Sequence, residues 1–184
     1  EWDVSRVTYM GNIFNGAKFF NEDISRWNVS NVTFMNNMFN GAHYFDQDIG
    51  GWDVSNVESM EHMFSNTKFN QDIGSWNVSK VKSMRSMFSN ASKFNQNIGH
   101  WNVSNVKNMK NMFLDAINFN QNINNWNVYN VETFDNMFLR ADKFNPDSIT
   151  MWNFRNSRNK TGPPAGIKKY NNHDVPIFTN ETIK

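Results

Sequence analysis

The chain has 184 residues, 39% of them apolar and 19% charged, and a formal net charge of +1. These proportions exclude a collagen, a polyelectrolyte tail and a membrane-spanning bundle. No stretch approaches the roughly 18 consecutive apolar residues of a membrane helix, no charged-then-apolar leader is expected, and zero cysteines exclude disulfides, Cys-zinc sites and thiol nucleophiles.

Tryptophans stand at Trp2, Trp27, Trp52, Trp76, Trp101, Trp126 and Trp152, in steps of 25, 25, 24, 25, 25 and 26 residues. A fixed period of this size marks a repeat array. In register the repeats read W-[ND]-V-S-x-V-x-x-M-x-x-M-F-x-x-A-x-x-F-N-Q-D-I-x-x, and the apolar positions of that pattern are the candidate core. The short step lacks a residue between Phe64 and Phe69, and the long one gains a residue at Asn145-Pro146-Asp147-Ser148. Both changes fall in connecting segments, which tolerate them.

Within a coil the spacing first predicts a strand. Trp27 and Val29, like Trp76 and Val78, are two apart and share a face. Val57, Met60, Met63, Phe64 and Thr67 then follow at offsets 0, 3, 6, 7 and 10, the stripe of a short helix. Ser55 and Glu58 read as its capping box, Gly16 and Gly41 as its stop, and Lys82 and Lys107 replace the glutamate in two coils. Parallel strands about 4.8 Å apart would set Trp on Trp and Phe on Phe. The predicted fold class is therefore an α/β solenoid over residues 1–154, about six 25-residue coils each with a short parallel strand and a short helix. Asn21, Asn70, Asn95, Asn120 and Asn145 predict a structural asparagine ladder at a buried turn. The Met columns, Met35, Met60, Met84, Met109 and Met38, Met63, Met87, Met112, read as packing.

The period, the M-x-x-M-F-x-x-A core and the F-N-Q-[DN]-I-x-x-W-[DN]-V-S-[NK]-V joint resemble the repeats of the BspA-like leucine-rich-repeat surface protein family, over residues 1 to about 154. The resemblance implies a leucine-rich-repeat-like solenoid, of the kind found in bacterial surface lipoproteins, protists and large DNA viruses, with adhesion and protein contact in place of catalysis. Ile13 and Phe134 at usual Met positions, Tyr129 at a usual Ser and Phe154 at a usual Val mark the two ends as less regular.

Glu1-Trp2 is already the strand of a coil, so an upstream extension or a neighbouring subunit is expected to cover this end. Residues 155–184 read as a C-terminal cap or extended basic tail, with 6 basic and 2 acidic groups against 12 and 15 in residues 1–154. Pro163, Pro164 and Gly166 interrupt the charges, so a cap is favoured and nucleic acid or anionic lipid is not expected as a partner.

No catalytic residue, cofactor or metal is predicted, and an enzyme is not expected. His43, His62, His100 and His173 share no repeat position or ligand spacing. Ser5, Ser30, Ser55, Ser79 and Ser104 recur as caps, and a residue repeated in series is scaffold. Asp23, Asp48 and Asp72 stack, but Asn97 and Asn122 take over the column, which does not suit calcium. Sequons such as Asn28-Val-Ser30 and Asn77-Val-Ser79 are by-products of the repeat.

Recognition must then use outward positions. Glu58, Lys82, Lys107 and Glu132 are in register, as are Glu61, Arg85, Lys110 and Asp135, so unlike charges are expected to face each other between the third and fourth and the fifth and sixth coils. Lys82, Arg85, Lys107 and Lys110 form a candidate cationic contact patch. The residue after each Trp, namely Asp3, Asn28, Asp53, Asn77, Asn102 and Asn127, forms a polar ridge and the first candidate binding face. The expected function is a non-catalytic protein-interaction or adhesion module with a protein or glycan partner, secreted or displayed on a cell surface. The alternative is a structural component of a virion or other large assembly.

Overall fold

A computed structural model describes residues 2–152. The Trp-to-Trp segments form six stacked coils, numbered 1 to 6 and covering 2–26, 27–51, 52–75, 76–100, 101–125 and 126–151. The segment expected to cap the stack, 155–184, and Phe154 lie outside the described residues.

The coils do not form the expected α/β solenoid. Among the described residues the sole helix is a single 3-10 turn at Pro146–Ile149. Among the same residues no sheet forms, and strand-like pairing is reduced to isolated parallel bridges, Tyr9–Phe34, Phe34–Ser59, Ser59–Ser83, Ser83–Asn108 and Asn108–Thr133. The bridges lie where the helix was expected, and Trp27 to Val29, the expected strand, takes part in no bridge and leads into a turn.

Overlapping turns replace the helix. In coil 2 the N–H groups of Met38, Asn40 and Ala42 donate to the carbonyls of Met35, Asn37 and Phe39, three residues back. The alternate N–H groups leave the coil: Met35, Asn37, Phe39 and Gly41 donate to Ser59, Glu61, Met63 and Ser65 of coil 3 at 2.7–3.0 Å. An α-helix would keep these donors inside and give stacked coils nothing to share. Positive φ at Asn37 (56°) and Gly41 (73°) interrupts any helix and recurs in each coil, for example at Asn66, Asn90, Asn111 and Asn136. Asn and Gly tolerate that conformation best, which explains their abundance here. Apolar offsets of 0, 3, 6, 7 and 10 suit a chain of three-residue turns as well as a helix, and the periodicity argument could not separate them. Ser55 accordingly caps no helix: its N–H donates to Asp53 Oδ1 at 3.0 Å, closing an Asx-turn.

Side chains repeat coil on coil. Phe14, Phe39, Phe64, Phe88, Phe113 and Phe138 form one file with ring centroids 5.6–5.7 Å apart. Phe20, Phe45, Phe69, Phe94, Phe119 and Phe144 form a second at 5.9–6.4 Å. Fully burying each such ring contributes roughly 1.5–3 kcal/mol. Indoles stack outside them, as in Trp101–Trp126 at 6.4 Å and Trp126–Trp152 at 6.1 Å. Each buried indole N–H reaches back 27–29 residues, past the whole preceding coil to the end of the one before it: Trp52 to Ile24 O, Trp76 to Ile49 O, Trp101 to Ile73 O, Trp126 to Ile98 O and Trp152 to Ile123 O, at 3.0–3.2 Å.

The polar corner is a ladder too, though exposed where a buried turn was expected. Asn21, Asp46, Asn70, Asn95 and Asn120 each accept, through Oδ1, the backbone N–H of the matching residue one coil on, at 2.8–2.9 Å. Both length changes are absorbed locally. In the short coil Thr67 takes the usual Ala position and its buried hydroxyl donates to Phe64 O at 2.7 Å. In the long one Asn145 Oδ1 accepts Asp147 N–H at 3.0 Å and opens the 3-10 turn.

Candidate functional site

All six residues of the polar ridge are exposed. Their side-chain oxygens are already engaged, because Asp3, Asn28, Asp53, Asn77, Asn102 and Asn127 accept the N–H two residues on, at 3.0–3.2 Å. The serine hydroxyl and N–H bonds hold the carboxyls of Asp3 and Asp53 below the ordinary range. The ridge is thus a row of turn-closing groups before it is a recognition surface. The neighbouring column ties it down further, with the amides of Asn31, Asn56, Asn105 and Asn130 donating to Ser5, Ser30, Ser79 and Ser104 carbonyls at 2.7–2.8 Å.

The charged columns sit on the bridge segment, where backbone pairing fixes their register. Lys107 N–H donates to Lys82 O at 2.8 Å, and Ser86 N–H to Lys110 O at 2.9 Å, so the four cations occupy adjoining rungs of coils 4 and 5. Two are paired outward: Lys82 with Glu58 at 2.6 Å and Lys110 with Asp135 at 3.6 Å. Arg85 and Lys107 are exposed and stand in no ion pair among the described residues. Glu61 accepts the Ser83 hydroxyl at 2.6 Å. Burial, then the neighbouring Arg85 charge, lowers the pKa of His62, with Glu61 opposing.

Sequence reasoning missed a set of exposed aromatics. Phe19 and Tyr44 stack at 5.7 Å, and Tyr9 lies 6.3 Å from Phe34. Lys18 lies over the Phe19 ring and Lys68 over that of Tyr44, at 5.3 and 5.0 Å. Their signal was available, since these rings interrupt columns that are polar in the later coils. A cleft of about 340 Å³ lies between Trp2, Asp3, Arg26 and Trp27.

The stacked aspartates are turn formers: Asp23, Asp48 and Asp72 accept N–H groups of Ser25, Gly50 and Gly74 at 2.8–3.0 Å, and Asn97 and Asn122 do the same for Gly99 and Asn124. Among the described residues no three His, Cys, Asp or Glu side chains gather as a metal ligand set. None of their helices is long and apolar enough to cross a membrane.

A family model described as "Mycoplasma protein of unknown function, DUF285" matches residues 1–90 and again 66–175. No curated protein and no solved structure matches the chain.

Proposed function

The chain belongs to the DUF285 family, and we propose that it is a non-catalytic interaction module, part of a repeat protein secreted or displayed at a cell surface. The finer resemblance to BspA-like surface arrays supports an adhesive role, with a protein or glycan as partner. One observation carries the reading. Aspartates, asparagines and serines, residue types able to serve chemistry, are spent coil after coil on Asx-turns and inter-coil hydrogen bonds. Surface variety is left to a few outward columns, and repeat stacks typically present such columns to partners.

Binding of the intact chain to immobilised extracellular proteins and glycans tests the reading. Charge reversal of Lys82, Arg85, Lys107 and Lys110, or replacement of Phe19 and Tyr44 by serine, is expected to reduce binding while far-ultraviolet circular dichroism stays unchanged. Turnover of a small-molecule substrate, abolished by a single point substitution, would overturn it.

A further inference from the structure

The cations of coils 4 and 5 form a bounded window. Lys80, Lys82 and Arg85 follow one another along coil 4, with Lys107 and Lys110 beneath. Lys80 points its ammonium at Asn56 Oδ1, 2.6 Å away. Glu58 and Glu61 on coil 3 close one side, and Glu132 and Asp135 on coil 6 close the other. At one coil per roughly 4.8 Å the opening is about 10 Å tall. A polyanion lying along the stack would run into carboxylates at both ends, whereas one crossing it, parallel to the bridge segment, would meet cations alone.

No large exposed apolar side chain occurs between Tyr44 and Ile117, and Ile117 of coil 5 stands seven residues past Lys110, so no aromatic or aliphatic anchor lies among the cations of the window. Protein interfaces concentrate their binding energy in such anchors. The window offers instead the free charges of Arg85 and Lys107, two ammonium groups held by exchangeable exposed ion pairs, and the amide of Asn108. Exposed pairs contribute little and exchange readily.

We propose that this window binds a segment of an anionic glycan, its sulfate or carboxylate groups seated on Arg85 and Lys107 and displacing Glu58 from Lys82 and Asp135 from Lys110. The proposal rests on the interaction-module reading and names the class of partner.

The probe is a heparin-derived oligosaccharide, titrated into the intact chain. Arg85→Glu with Lys107→Glu is expected to weaken binding at least about tenfold. A control reversal of equal charge, Lys93→Glu with Lys143→Glu on another column, is expected to change it less than about twofold. Glu58→Gln with Asp135→Asn, which lowers the walls, is expected to tighten binding, an effect that a merely structural role would not produce. Equal losses in window and control variants would overturn the site. So would poly-glutamate binding as tightly as the oligosaccharide, since charge alone would then suffice. Absence of oligosaccharide binding would overturn the proposal and leave the broader module reading standing, because that reading is tested separately on immobilised proteins and glycans and by enzymatic turnover.

Discussion

Asn37, His62 and Ser86 occupy one place in successive coils with φ of 56°, 55° and 53°. Outside glycine this conformation costs roughly 1–2 kcal/mol, least for asparagine. Asn37→Ala is therefore expected to lower stability by about 1 kcal/mol and Asn37→Gly to change it little, as read from urea midpoints. His62 carries a second signature. Its folded pKa lies below the ordinary 6.5, so the unfolded chain binds the proton more readily. The contribution is complete above that ordinary value and is lost as pH falls through the folded one. His62→Asn, which keeps the backbone preference, should flatten the decline of the urea midpoint from about pH 7 to pH 5. An unchanged decline would refute the assignment.

A coil holds its neighbours through a few close approaches. A Cβ built on Gly74 would stand 2.5 Å from Asn97 O, whereas one on Gly51 would meet nothing within 4 Å. Gly74→Ala should therefore cost about 1–3 kcal/mol and Gly51→Ala less than about 0.5 kcal/mol, both by thermal or urea unfolding. Trp101→Phe keeps the ring but deprives Ile73 O of its 3.1 Å indole donor and leaves it Trp76 N–H. About 1–2 kcal/mol is the expected loss. At this scale the sequence was read unevenly. The 25-residue period marked Met35, Phe39, Phe45 and Trp52 as core, and all four are buried. It did not reveal whether Met35, Met38 and Phe39 sat on a helix or on linked turns, because only the left-handed residues between them, Asn37 and Gly41, decide that. The charged window was legible from register alone. Engagement of the ridge oxygens in turns was not, since W-[ND]-V-S shows composition without showing where the Asx oxygen points.

Across the molecule, the ring files and backbone rungs join each coil to the coils beside it and the indole N–H bonds reach one coil further, so stability should behave nearly as a sum over nearest neighbours. Phe88 is flanked by Phe64 and Phe113 at 5.7 and 5.6 Å and is fully buried, while Phe14 is partly buried with Phe39 on one side. Phe88→Ala is expected to cost about 3–5 kcal/mol and to lower hydrogen-exchange protection in coils 3 to 5. Phe14→Ala should cost roughly half as much, with the change confined to coils 1 and 2. Uniform loss of protection in either variant would contradict the nearest-neighbour picture.

The backbone rungs have a direction. From Met35 to Gly41, and in the matching turns of the other coils, the N–H groups that leave a coil reach forward to carbonyls of the next. Thr33, Glu58, Lys82, Lys107 and Glu132 donate back to the coil before, so one side of a coil is mostly donors and the other mostly acceptors. Two such stacks brought head to head would oppose mostly like groups in these turns, which disfavours a twofold axis. End-to-end joining is favoured head to tail, as in a filament.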